Sequence, residues 1–166
     1  MVQNLTDSLL TTSVRIYDLL VANAASLGLV GPTRTNVWYG DQNMLPETPA
    51  VCIEPGTKTR TLAGAPDMTE LDIDVHIFLY HSAVGDEQQQ ARRDTIEFAE
   101  AIEKFLHVNH LNLVNSVGEQ IIIHGFTKST DAGYQYKNGT TLYNAVHMVW
   151  TGFTKTSLRN PGNPIP

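Results

Sequence analysis

The stretch TELDIDVHIFLY, residues 69–80, restricts the fold of this chain more than any other. Leu71, Ile73, Val75, Ile77 and Leu79 take every odd position, while Asp72, Asp74 and His76 take the even ones before Phe78 and Tyr80. A period of two belongs to a strand, whose side chains alternate between faces. One face therefore offers an unbroken apolar row to a core. The other runs from Asp72 towards Phe78, as a strand does when it passes from a wet rim into an apolar interior. Asp72, Asp74 and His76 share this second face at spacings of about 7 Å. That is wide for a single metal, and a metal centre would need a further ligand such as His147 on the last strand. The pattern favours a hydrated face over a reaction centre.

The residues before this strand supply its partner. AVCIEPGTKTRTL, residues 50–62, reads as a second strand joined to residues 68–81 through the turn-rich AGAPD, which makes a long hairpin. Pro55 and Gly56 interrupt the first strand, which marks a bulge or an edge position. The polar run Thr57, Lys58, Thr59, Arg60 indicates that the far end of the hairpin leaves the core and projects.

Helical periodicity appears on both sides of the hairpin. Leu9, Ile16, Leu20, Ala24 and Leu27 form a stripe, with Thr6 or Ser8 as N-cap and Gly28 as the stop. After Gly85, Ala91, Thr95, Phe98, Ile102 and Phe105 or Leu106 recur at spacings of three and four, with Asp86 and Glu87 at the positive end of the helix dipole and Lys104 and His107 at the negative end. Glu100 and Lys104 are ordered for a helical ion pair of about 0.3–0.5 kcal/mol. NVWYG predicts a short extended piece, EQIIIHGFTK a buried strand around Ile121, Ile122 and Ile123, and Asn138-Gly139 a hairpin turn into a final strand over residues 140–153. The expected fold class is α+β, a mostly antiparallel sheet with a long hairpin packed against two helices. Residues 1–156 are expected to form one domain, and residues 157–166, with three prolines, an irregular tail.

Several classes of function fit poorly. Seventeen acidic against eleven basic residues leave a net charge of -6, without the basic footprint of a nucleic-acid reader. Neither a signal peptide nor a membrane span is legible. Cys52 is the sole cysteine, which rules out an internal disulfide; between Val51 and Ile53 it reads as a small buried hydrophobe. No phosphate-binding glycine loop, nucleophile elbow or His-Glu-x-x-His pattern occurs. His107 and His110, three apart in HVNH, lie where a helix stops and read as its solvated end. Tyr134, Tyr136, Tyr143, Trp150 and Phe153 lack interleaved basic residues other than Lys137 and Lys155, so core or subunit packing is their default role. No cofactor or catalytic residue is expected.

The order of elements, with ETPAVCIEPGTKTRTL, MTELDIDVHIFLYHS, DEQQQARRDTIEFAEAIEKFL and TTLYNAVHMVWTGFTK, resembles the tail terminator (tail completion) proteins of long-tailed bacteriophages over roughly residues 5 to 156. The resemblance implies a non-enzymatic virion protein at the tail-neck junction, assembled in the host cytoplasm. It implies a hexameric homo-oligomeric ring that caps the tail tube protein, ends tail growth, and joins the tube to a neck, stopper or connector protein. Genomic DNA would pass through the lumen without specific binding, and no membrane would be involved. Asp72, Asp74 and His76 then become lumen or ring-contact surface. A head completion or stopper protein of the neck is the alternative within the same class. A metal-dependent hydrolase using Asp72, Asp74, His76 and His147 is the alternative from a different one.

Overall fold

The computed structural model describes residues 9–62, 68–82, 88–114, 118, 120–137 and 141–157. In chain order these form α1 (Leu9–Ala22), β1 (Val37–Tyr39), β2 (Ala50–Leu62), β3 (Met68–Ser82), α2 (Gln88–Asn109), a 3-10 turn (His110–Asn112), β4 (His124–Lys137) and β5 (Thr141–Ser157). The strands make one sheet in the order β1-β2-β3-β5-β4, antiparallel except for the parallel pair β1 and β2. The fold is α+β: a five-stranded sheet with both helices on one face.

The alternation in β3 decides which face the helices cover. Leu71, Ile73, Val75, Ile77 and Leu79 are all fully buried, and the last four join one core with Ile16 and Leu20 of α1 and Ala99, Ile102 and Leu106 of α2. Each such aliphatic side chain contributes about 1.5–3 kcal/mol of burial. In α2 the buried positions Thr95, Ala99, Ile102 and Leu106 follow spacings of four, three and four, so Leu106 faces inward while Phe105 is only partly buried. Trp150 lies in the same core, and its indole spreads over Gly152 and Gly125, which are register partners on β5 and β4. A Cβ at Gly152 would stand 2.7–2.9 Å from Ile122 and from the indole, so the close approach requires glycine there.

The second face of the sheet carries a smaller core at one end. Ala50, Cys52, Tyr80 and Tyr143 pack there with Leu45, which comes from the chain between β1 and β2. Towards the other end this face is polar: Asp72 is exposed, and Asp74 and His76 are half-buried.

Three expectations need adjustment. The strand expected around Ile121, Ile122 and Ile123 begins only at His124; Ile121 and Ile122 are buried in the core ahead of it, and Ile123 donates its N–H to the Phe153 carbonyl at 2.9 Å. Two adjacent isoleucines fill the core here without being paired in a ladder while Ile123 is 41% exposed, and periodicity alone does not separate this from a strand. The closing strand extends to Ser157, beyond the Phe153 expected, because β3 continues to pair with it as far as Met68 opposite Ser157. β4 reaches Lys137, taking in residues whose mixture of Gly, Asp and Thr hides a strand. The interruption at Pro55 and Gly56 is a bulge, since the register with β3 shifts between Pro55 and Lys58. The N-caps at Thr6 or Ser8, the AGAPD turn, Asp86 and Glu87, the Asn138-Gly139 turn and the tail from residue 158 lie outside the described residues.

Candidate functional site

The alternating residues of β3 meet their neighbours through the register. Asp74 lies opposite Thr151 of β5 and beside the bulge of β2. Its carboxylate accepts from Thr151 Oγ1 at 2.6 Å, from Thr57 Oγ1 at 3.0 Å and from Lys128 Nζ at 3.3 Å. Burial works to raise the Asp74 carboxyl pKa, but the hydrogen bonds from Thr151, Thr57 and Lys128, with the Lys128 charge, outweigh it and hold the group below its ordinary value. Asp74 thus ties β2, β4 and β5 to β3 as an ionised side chain that already accepts three hydrogen bonds.

His76 takes another neighbour. Its Nδ1 stands 2.7 Å from His147 Nε2, so one ring donates and the other accepts. The two rings are nearly parallel, 4.9 Å between centroids, and His147 also stacks on Phe78 at 4.6 Å. Burial, then the His76 charge, lower the pKa of His147, while Asp131 acts against them. Gly56 gives the His76 ring its place: a Cβ there would lie 2.6 Å from His76 Cδ2 and 2.7 Å from the Asp74 carbonyl.

The set Asp72, Asp74, His76 and His147 therefore divides. His76 and His147 bond to each other, Asp74 is engaged with hydroxyls and a lysine, and Asp72 is exposed. Among the described residues no group of three or more His, Cys, Asp or Glu side chains is placed to hold a metal. His107, His110 and His124 come into ring contact at the end of α2, with His110 Nδ1 bonded to the His107 carbonyl at 2.6 Å, and they likewise do not form such a group.

A polar cluster with no local signal in the sequence lies at the other end of this face. Lys137, only 4% exposed, pairs with Asp41, and its ammonium sits 4.4 Å above the Tyr80 ring. The Tyr80 hydroxyl lies 2.9 Å from both Asp41 Oδ1 and Gln135 Oε1. Burial first, then the Asp41 charge, raise the Tyr80 pKa. Burial likewise pushes the Cys52 thiol up to about 12, against a hydrogen bond from the Gln42 backbone. Cys52 is then a neutral thiol, in keeping with its reading as a buried hydrophobe. The cluster secures the chain after β1 to the ends of β3 and β4.

The residues 57–62 at the far end of β2 are all exposed, Leu62 at 77%. A groove of 400 Å³ runs between α2 and β4, lined by Glu100, Glu103, Lys104, His107, Phe126 and Thr127. Among the described residues no helix is long and apolar enough to cross a membrane.

No family model and no curated protein matches the sequence. Among solved structures, a chain from the "virion of native gene transfer agent (GTA) particle" has a similar fold, with a TM-score of 0.50, 18% identity, and coverage of 87% of this chain and 94% of that one. At that identity the likeness is one of fold.

Proposed function

We propose that this chain is a structural virion protein, a subunit of a ring that caps the tail tube of a phage-like particle, ends its growth and joins it to the neck. The observation that carries the reading is the fold likeness to a chain of a gene transfer agent virion over nearly the whole of both chains. The order of elements on which the resemblance to tail terminators rests is also the order found in the structure. In this reading the protein works by fit rather than turnover. The ring is a homo-oligomer, hexameric by the family resemblance, with tube protein on one side and a neck, stopper or connector protein on the other. Asp72, Asp74 and His76 are lumen or ring-contact surface, where the exposed negative charge of Asp72 lets DNA pass without holding it.

Particles assembled without this protein test the proposal by electron microscopy. Tails of uncontrolled length, corrected when the purified protein is added, are expected. Tails of normal length that fail to join heads would assign the chain to the stopper position instead. Intact, infectious particles would end the structural reading altogether.

A further inference from the structure

Three aromatic rings on the open face of the sheet orient one another. His147 lies opposite Phe78 in the register, and His76 stands diagonally from it, opposite Val149. Centroid separations are 4.9 Å from His76 to His147, 4.6 Å from His147 to Phe78 and 6.3 Å from His76 to Phe78, with interplanar angles no larger than 15°. Seen from His147, these distances set its two neighbours close to a right angle apart, so one stands at the rim of the ring and the other covers its face. The 2.7 Å contact between His76 Nδ1 and His147 Nε2 identifies His76 as the neighbour at the rim. The imidazoles therefore meet tip to tip in an in-plane N–H···N bond, while Phe78 over the face of His147 keeps that ring from swinging away.

We infer that this pair is a proton-operated catch on the bulge of β2: it holds the bulge while at most one extra proton is bound, and releases it when a second arrives. The inference goes beyond the ring reading and does not depend on it.

The chemistry follows from the two facing nitrogens. In the neutral pair one of them carries a hydrogen and the other a lone pair. A first extra proton goes to an outer nitrogen, His76 Nε2 or His147 Nδ1, and the bond persists with charge assistance. A second leaves an N–H on each facing nitrogen and a charge on each ring, so the bond is lost and the rings repel. The two steps belong to the pair as a unit. The depressed value of His147 fits the second step, because burial and the His76 charge both oppose it.

The bulge feels the ring directly. A Cβ at Gly56 would stand 2.6 Å from His76 Cδ2 and 2.8 Å from Nε2, so Gly56 covers the side of the ring across from Nδ1. His76 is thus wedged between His147 and the β2 backbone, and a ring pushed away from His147 moves against that backbone. The register of β2 on β3 shifts here, between Pro55 and Lys58, and a bulge sets the bend and twist of the strand that leaves it. Charged and titratable groups surround the pair on this face. Glu54 of β2 lies opposite His76, and Asp131 of β4 lies opposite His147 and works against its depression. Asp74, paired with Lys128, and the exposed Asp72 continue β3 to one side, while Cys52, Tyr80, Asp41 and Lys137 lie on the Phe78 side. β5 adds only Ala145, Val149 and Thr151 beside His147.

Nitrogen NMR of the imidazoles in the isotope-labelled full chain, followed against pH, tests the catch. A through-bond coupling between His76 Nδ1 and His147 Nε2 is expected at neutral pH. It should persist through the first protonation and vanish in the second, when the Gly56 and Thr57 backbone resonances shift. Asp74→Asn should keep that shift, and His147→Gln should abolish it, since the amide bonds without taking a charge. No coupling at neutral pH overturns the catch. So does a coupling lost without a shift at Gly56 and Thr57, a shift that survives in H147Q, or one that disappears in D74N and so belongs to Asp74. Unfolding of the whole chain in the same step, read from the signals of the Trp150 core, overturns it equally, because the catch acts locally.

Discussion

At the scale of single residues, the open sheet face should report acid in two windows. Burial and the His76 charge hold His147 below its ordinary 6.5, so the unfolded chain takes up this proton more readily than the folded one. The stability from the neutral ring is complete above about 6.5 and is lost as pH falls through the depressed folded value. Asp74 lies below its ordinary 3.8, so its stabilisation is present above that pH and disappears as pH drops through the folded value. Urea midpoints measured across pH should show both declines, with His147→Gln removing the upper and Asp74→Asn the lower. Unchanged profiles in the variants would count against the assignment. The Asp41 and Lys137 pair makes an asymmetric prediction. Asp41→Ala strands a buried ammonium and should cost about 3–5 kcal/mol. Lys137→Met, which removes that charge and leaves Asp41 27% exposed to water, should cost clearly less; chemical denaturation showing the reverse order would refute the account. The pairing of His76 with His147 was partly legible, since His147 was the one available partner on the last strand. The Asp41, Tyr80 and Lys137 cluster was not, because its members are 39 to 96 residues apart and none occupies a motif.

At the scale of elements, the helices hold through their buried stripes. Ile102→Ala in α2 should cost about 2–5 kcal/mol by opening a cavity against β3, while Ile96→Ala, 38% exposed on another side of the helix, should stay within about 0.5 kcal/mol. Equal effects at both positions would mean that the helix packs on a different face. The bulge in β2 offers a second test. Gly56→Ala pushes a methyl into the His76 ring and the Asp74 carbonyl, and is expected to destabilise by about 1–3 kcal/mol and to shift the imidazole resonances of both His76 and His147. A stability loss without any change in those resonances would leave the bulge structural but not responsible for the ring's place. Bulge, hairpin and helices were readable in advance because each is written in neighbouring residues. The start of β4 was not, since an isoleucine triplet suits a buried crossing segment as well as a strand.

At the scale of the whole molecule, one large core spans both helices and strands β1, β2, β3 and β5, with β4 held to β5 along its length, so residues 1–156 are expected to unfold as a unit. Calorimetry should give a ratio of calorimetric to van't Hoff enthalpy near one, and a chain ending at residue 157 should keep its melting temperature; two separated transitions would divide the domain. By itself the sequence determined the two helices, the β2–β3 hairpin and the closing strand with their buried rows, because hydrophobic periods of two and of three to four select strand or helix wherever they run unbroken. It also determined that one face of β3 would be apolar and the other polar. Tertiary structure decided the rest: which polar residues meet on the open face, which buried charge finds its partner, and which exposed edge and groove remain for another molecule. Those outcomes depend on register and strand order, which bring together residues far apart in the chain, and no local pattern encodes such distances.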